Sequence, residues 1–308
     1  MDLIGRVERI VKDRSLCLNC LGRLFAGLSF SLSNRERGEA LIRVLSMALS
    51  EELMEGRGEK AALLERLAYL YDLEGVRRML LERGYPVKER KRSPCEICGD
   101  LFSRLDEAVE RILEEIEGYE FQSYQVGVRL PKDIEEREDR IRATYGLKYS
   151  ESIRGELSRE IGKALEKRIP GKIFSPNPDL KIDINPYTGT VKVSPRRVTV
   201  KGRIYLEDPG GRVFAKVCQE CRGRGCPACE YTGRVDEASV EYILGRVLLN
   251  LFGAKRWRFG MKYRGERVID FTISLITPKK RYIPGERIVE EVNRLGGGGF
   301  TVEDVRVE

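Results

Sequence analysis

The first part of the chain repeats apolar residues at helical intervals. Arg35 to Glu55 carries Ala40, Leu41, Val44, Leu45, Ala48 and Leu49 on one face, and shorter runs follow through Leu63, Leu64, Leu67 and Leu70, then Val76, Met79 and Leu80. Gly58 and Gly84 mark the stops, Pro86 helps end the third run, and the basic stretch Lys88 to Arg92 reads as a linker. After Leu101 helices and strands interleave. Leu105, Ala108, Val109, Ile112, Leu113 and Ile116 form a helical stripe that Gly118 can cap, whereas Tyr119 to Leu130 alternates through Phe121, Tyr124, Val126 and Val128 as a strand closed by Pro131. Ser150 to Arg168 repeats Ile153, Leu157, Ile161 and Leu165 every fourth residue and ends at Pro170-Gly171. Asp179 to Asn185 and Thr190 to Val193 pair across a Pro-Tyr-Thr-Gly turn, and Val198 to Leu206 is a further strand. Ala238 to Phe252 is a helix, Val268 to Ile276 a strand, and Pro284 opens a last helix that Gly296 to Gly299 separates from a final strand, Phe300 to Val307. The order predicts an α+β fold with helices layered on sheet, divided into residues 1–100, 101–237 and 238–308. No stretch approaches the apolar length needed to cross a bilayer.

All eight cysteines fall in C-x-x-C pairs: Cys17/Cys20, Cys95/Cys98, Cys218/Cys221 and Cys226/Cys229. The last two pairs are joined by a Gly-Arg-Gly turn, a spacing that makes a self-contained four-cysteine zinc knuckle. The first two lie about 75 residues apart and share a metal only if the helices between them fold back as one module, which the metal then clasps. Both sites are expected to be structural zinc, since four thiolates leave no open ligand position. The absence of histidine removes histidine-based acid, base and triad mechanisms. Disulfides are the alternative. The charge-rich composition, 34% Asp, Glu, Lys and Arg, and the lack of a secretory leader point instead to a reducing, cytoplasmic setting.

Charge refines the picture. The formal net charge is +7, but eight thiolates and two divalent ions together contribute minus four, leaving about plus three, so any nucleic-acid face must arise by local clustering. Lys192, Arg196, Arg197, Lys201 and Arg203 form one basic cluster, in which alternation along Arg197, Thr199, Lys201 and Arg203 places several charges on one exposed strand face. Arg222 and Arg224 lie inside the knuckle. Lys255, Arg256, Trp257 and Arg258 begin a second cluster in which aromatic residues are interleaved, and Lys279, Lys280 and Arg281 form a third. Arginine forks beside an aromatic suit phosphates and an unstacked base. The competing reading is a solvated face in a thermophile-type protein, with Trp257 in the core.

The combination of motifs resembles the archaeal THUMP-containing tRNA pseudouridine synthase family that modifies the T-loop. Cys17-Leu-Asn-Cys20 followed by Leu21-Gly-Arg-Leu-Phe-Ala26 is similar to the family's opening C-x-x-C-x-x-R-x-F, and Pro94-Cys95-Glu-Ile-Cys98 to its second pair. Lys148 to Lys163 resembles its THUMP helix, Pro178-Asp179 through Asp183 the following strand, Cys218 to Gly233 its knuckle, and Ser239-Val-Glu241 the start of the next helix. The resemblance implies a helical zinc module, a THUMP-type RNA-binding domain and a synthase-like piece, with tRNA as partner. The family continues into a His-Gly-Ala-Gly-Arg-Glu-Asp-Val-Asp-like segment holding its catalytic aspartate. Here Phe259 passes through Gly260-Met-Lys-Tyr-Arg264 to Gly265-Glu-Arg-Val-Ile-Asp270, so that segment reads as deleted, and the chain ends before a full synthase fold. Asp270, the one catalytic candidate, does not match the nucleophile position. The expectation is a non-catalytic tRNA-binding relative acting in tRNA modification or maturation, alone or with a catalytic protein subunit. The alternatives are a reduced synthase using Asp270, completed by a partner chain, and a purely structural zinc protein.

Overall fold

A computed structural model describes residues 2–87, 93–236 and 238–308, so the basic linker Lys88 to Arg92 lies outside it. Two compact units divide the chain. One comprises Met1–Arg111, Gly127–Lys167 and Ile184–Thr190, the other Ile112–Val126, Arg168–Asp183 and Val191–Glu308.

In the first unit, Asp2 caps α1 (Leu3–Asp13) by accepting the Gly5 N–H at 2.8 Å, and the helix buries Val7, Ile10 and Val11. The short α2 (Leu18–Arg23) lies against α3 (Asn34–Met54), which a Ser33/Glu36 capping box begins. Backbone meets backbone here: a Cβ on Gly22 would sit 1.8 Å from the Asn34 carbonyl oxygen, and one on Gly38 2.1 Å from that of Leu18. No larger residue fits either position. Leu41, Ile42, Leu45 and Leu49 of α3 are buried, as are Leu64 and Leu67 of α4 (Ala61–Leu70) and Leu80 of α5 (Glu74–Glu82).

After α6 (Leu105–Ile116) come β1 (Ser123–Val128), α7 (Lys132–Tyr145), α8 (Ile153–Arg168), β2 (Ile173–Phe174), β3 (Leu180–Asn185) and β4 (Thr190–Pro195). The strands form a sheet in the order β2-β1-β3-β4, with β1 and β2 parallel at Ser123↔Ile173 and Tyr124↔Phe174. Asp179, just before β3, is a hub of the second unit. It accepts the N–H groups of Gln122 (3.0 Å) and Ser123 (3.2 Å), and pairs with Arg196 (2.8 Å) and Arg281 (3.6 Å). Burial works to raise its pKa, but the backbone donors and then the two arginines prevail and hold it below the ordinary aspartate value.

The rest of the second unit follows one topology. Strand β5 (Val198–Leu206) leads into a small hairpin, β6 (Lys216–Val217) and β7 (Arg234–Val235), which brackets the knuckle. Then come α9 (Val240–Phe252), β8 (Arg256–Tyr263), β9 (Val268–Ile276), α10 (Gly285–Leu295) and β10 (Phe300–Val307). The large strands form an antiparallel sheet in the order β10-β5-β9-β8. Strand-helix-strand-strand-helix-strand in that order is the split βαβ arrangement of ferredoxin-like folds, here with a knuckle inserted after the first strand. Val200, Ile204, Ile269, Phe271, Ile273, Trp257 and Val302 point to one face and form a core with Leu244, Leu248, Phe252, Ile288 and Val292 of the two helices. The opposite face is open.

The predicted α+β class and the elements read from periodicity are present, with shifts of a few residues; the strand placed at Tyr119 to Leu130 spans Ser123–Val128. Several elements were not predicted. Helix α7 was hidden because its buried stripe is Ile134, Glu138, Ile141 and Tyr145, with a carboxylate in place of an apolar residue. Helix α1 and strand β8 were missed as well, as were the short α2, β2, β6 and β7.

Candidate metal centres and nucleic-acid interface

Cys17 is the N-cap of α2 and Cys20 lies in its first turn. Cys95 and Cys98 come from a turn closed by Gly99 and Asp100 at φ of 57° and 62°. Asp100 accepts the Cys95 N–H at 3.2 Å, and the Tyr187 hydroxyl donates to the Cys98 carbonyl at 3.2 Å. All four sulfurs lie within 4.8 Å of one another, and those of Cys17 and Cys98 are 3.7 Å apart. A tetrahedron with metal–sulfur bonds of about 2.3 Å has edges near 3.8 Å. A disulfide requires about 2 Å, so these free thiols are spaced as metal ligands.

Arg23, one turn beyond Cys20, is fully buried. It donates to the Cys20 sulfur (3.5 Å), to Glu138 (2.8 Å) and to Glu156 (2.9 Å), with both carboxylates themselves buried. Glu138 also accepts the Ile153 N–H at 3.0 Å, capping α8, and Glu156 accepts from Asn19 at 3.2 Å. Burial raises the pKa of Glu156 above the ordinary glutamate value in spite of Arg23. One arginine thus joins the cysteine turn to α7 and α8.

The second cluster is local. Sulfur pairs Cys218/Cys226, Cys221/Cys229 and Cys226/Cys229 are each 3.8 Å apart, again a tetrahedral edge. Backbone N–H groups point at the sulfurs: Gly225 to Cys221 (3.1 Å), Cys226 to Cys229 (3.3 Å) and Gly233 to Cys229 (3.2 Å). Burial would raise the Cys229 thiol, but the N–H donors outweigh it and bring it down to about 6, which favours the thiolate. Gly225 has φ 94°, and a Cβ there would meet the Tyr231 carbonyl oxygen at 2.5 Å. Buried Glu241 ties the knuckle to α9. It accepts from Arg234 (3.0 Å), the Ala215 N–H (3.0 Å) and Trp257 Nε1 (3.4 Å).

The basic residues divide by their partners. On the open sheet face the register aligns Arg258, Ser274 and Thr199 in one row, then Gly260, Thr272, Lys201 and Arg306, then Lys262, Asp270, Arg203 and Glu303. Thr199, Lys201 and Arg203 therefore share this face. Lys201 pairs with Glu308 (2.5 Å), and Arg203 with Asp304 (2.9 Å) and Asp270 (3.5 Å). Arg258, Lys262 and Arg306 have no acidic partner among the described residues. Arg196 is engaged by Asp179, whereas Lys192, Arg197 and Arg222 are exposed and without an acidic partner among the described residues. Trp257 is a correction. It is only 7% exposed, its indole lies where a Cβ on Gly245 would fall at 2.3 Å, and Tyr242 meets it edge-on, so it cannot offer a face to a base.

Asp270 stands on the open face of inner strand β9. Arg264 at 2.5 Å and then Arg203 hold its carboxyl below the ordinary aspartate value. The sequence reading gave no role to Arg23, Glu138, Glu156, Glu241 or Asp179. Four of them stood inside quoted motifs, the arginine of C-x-x-C-x-x-R, Glu156 within Lys148 to Lys163, the aspartate after Pro178 and the glutamate of Ser239-Val-Glu241, and their place in those motifs was the available signal.

The profile of the archaeal Pus10 THUMP domain matches residues 108–185, from within α6 to the end of β3. Fold and match define a THUMP-domain protein with two four-cysteine clusters. Among curated proteins, the tRNA pseudouridine synthase Pus10 of Methanopyrus kandleri is 32% identical over 99% of this chain and 68% of its own length. That of Thermofilum pendens is 33% identical over 98% and 66%, and that of Aeropyrum pernix 35% identical over 94% and 64%. The chain belongs to the Pus10 family, and spans about two thirds of the length of these relatives.

Removing Arg23 strands two buried carboxylates, so Arg23→Leu should cost about 3–5 kcal/mol in urea unfolding of the whole chain. A triple variant, R23L/E138Q/E156Q, should be less damaged than R23L. A triple variant at least as unstable as the single one would show that charge balance is not what Arg23 provides.

Proposed function

We propose that the chain is a tRNA-binding member of the Pus10 family whose own Asp270 is not a nucleophile. In functional terms it is divided as the sequence suggests: a metal-clasped helical module (1–100), a THUMP domain with knuckle (101–237) and a ferredoxin-like C-terminal part (238–308) completed by β5. The relatives act on tRNA by name. The observation that carries the reading is the open sheet face, where Lys201, Arg203, Arg258, Lys262 and Arg306 lie in register, three of them without acidic partners among the described residues. An antiparallel sheet with helices on one side and unpaired cations on the other suits an RNA backbone, recognised through phosphate and shape. Asp270 supports the second half of the claim. Two arginines occupy it, and the β8–β9 hairpin that carries it turns tightly, with the Arg264 N–H on the Val268 carbonyl at 2.8 Å, where the family resemblance calls for an aspartate-bearing segment. A pseudouridine nucleophile must instead sit beside a flipped uridine in an enclosed pocket. A partner protein supplies the chemistry in this reading.

Both cysteine clusters fit zinc by donor set and sulfur spacing. With four thiolates each they would supply cross-links and no open position for chemistry. Metal analysis of purified protein should give close to two zinc atoms per chain, and a value near zero in folded protein would refute the assignment.

Unmodified tRNA should bind with an affinity that falls steeply with salt, and Arg258→Ala should flatten the log–log salt slope by about one. Equal affinity for an unrelated DNA duplex at about 150 mM salt would count against tRNA recognition.

For activity, wild type and Asp270→Asn are incubated with unmodified tRNA and pseudouridine is mapped chemically. No product from either is expected. Product at one uridine, lost in Asp270→Asn, would establish the reduced synthase instead.

A further inference from the structure

Beside the knuckle a groove of about 650 Å³ opens between it and the end of α9, lined by Arg224, Tyr231, Arg246, Asn250, Lys255 and Arg256. Its cations are not alike. Arg246 is neutralised by Glu230, whereas Arg224, Lys255 and Arg256 have no acidic partner among the described residues. Two of them are anchored through backbone oxygens: Arg224 donates to the Cys221 carbonyl at 3.2 Å, and Arg256 to the Arg224 carbonyl at 2.8 Å. Three positive charges therefore rim one concavity, two of them fixed to the metal-binding turn.

Tyr231 supplies the complementary element. It is 62% exposed, and its backbone is held in place, with φ 61°, its N–H donating to the Cys226 carbonyl at 2.8 Å and its carbonyl seated against Gly225. An exposed aromatic whose backbone is held in a left-handed conformation by a four-cysteine turn loses little backbone freedom on binding a flat ligand. Leu249 and Ala254 give the groove an apolar part, and Asn250 adds an amide that can donate or accept.

We infer that this groove is a subsite for one unstacked nucleotide of a single-stranded RNA segment, with the base on Tyr231 and its phosphates against Lys255 and Arg256. The inference rests on the tRNA-binding reading and adds a place and a mode to it. A stacking face beside unpaired cations is the combination that holds single-stranded nucleic acid without base readout. It also makes the second metal centre a determinant of binding, because the knuckle positions Tyr231 and Arg224 and through it Arg256.

The test uses the zinc-loaded full chain and a six-nucleotide oligouridylate. Tyr231→Ala should bind it roughly 5- to 100-fold more weakly and Tyr231→Phe about as well as wild type. Lys255→Ala should lower the salt slope by about one. Unchanged metal content and circular dichroism establish that Tyr231→Ala is folded. Wild-type affinity in folded Tyr231→Ala would overturn the subsite, and if Arg258→Ala still weakens tRNA binding the broader reading survives. Wild-type protein that binds neither oligouridylate nor tRNA would remove both. Equal affinity for a deoxythymidylate hexamer would overturn the assignment to RNA.

Discussion

A fully buried guanidinium is the constraint around which the first unit is built. Taking Arg23 out of water costs several kcal/mol, and the cost is met only by partners of opposite charge at hydrogen-bond distance. Glu138 and Glu156 provide two, and the Cys20 sulfur a third. Spacing makes this possible, since a residue three positions after Cys20 on the same helix projects beside its sulfur. Lysine would fit less well, because its ammonium is a compact point charge and cannot spread planar donors toward Glu138, Glu156 and the Cys20 sulfur as the guanidinium does. A four-thiolate site holding a divalent metal carries about two net negative charges, so a fixed cation against one sulfur is also favourable to the centre itself. Cysteine turn, α7 and α8 are therefore interdependent.

The two clusters reach the same tetrahedral spacing by opposite routes. The knuckle is shaped by its own turns, with three N–H groups aimed at sulfur, and is docked by Glu241, by the Glu230–Arg246 pair and by Arg256 on the Arg224 carbonyl. The first cluster joins pairs far apart in sequence, so its ligands are placed by packing. The backbone contact at Gly22 and Gly38 sets α2 against α3, and Tyr187 and Asp100 fix the second turn. Loss of metal should accordingly be a local event at the knuckle and a global one for the helical module, where it removes a long-range cross-link.

How much of this was legible in the sequence follows from what periodicity can carry. Repeats of Leu, Ile and Val fixed α3, α8, α9 and β9 because each still offers at least four apolar positions at the right interval, although Arg37, Glu156 and Glu241 are buried among them. Helix α7 escaped because one position of its buried stripe is Glu138, whose burial makes sense only once Arg23 is known to oppose it. The cysteine pairing was readable because C-x-x-C spacing is a local ligand rule, and both predicted groupings recur in space. Basic clusters were readable only as positions. Whether a charge is available depends on partners distant in sequence, as with Lys201 on Glu308 and Arg203 on Asp304. Trp257 shows the same limit, since its alternating neighbours put it on the core side of β8 while composition suggested a surface aromatic.

Electrostatics thus works here by subtraction. A chain of formal charge +7 with 56 basic residues would fall to about plus three with both four-thiolate sites holding a divalent metal, and several of its cations are engaged by acids. What matters is where cations are left without partners, and among the described residues these include Arg258 and Lys262 on the open sheet and Arg224, Lys255 and Arg256 beside the knuckle. All five belong to the knuckle or to the segment just after α9, within the second unit. The strand β8 joins the two sets: Arg256 and Arg258 lie on the solvent side of the same strand whose Trp257 is locked into the core beneath Gly245. Burial of the indole, together with the pairing to β9, fixes which face of β8 turns to the core. A buried residue therefore helps to decide where Arg256 and Arg258 are presented to solvent.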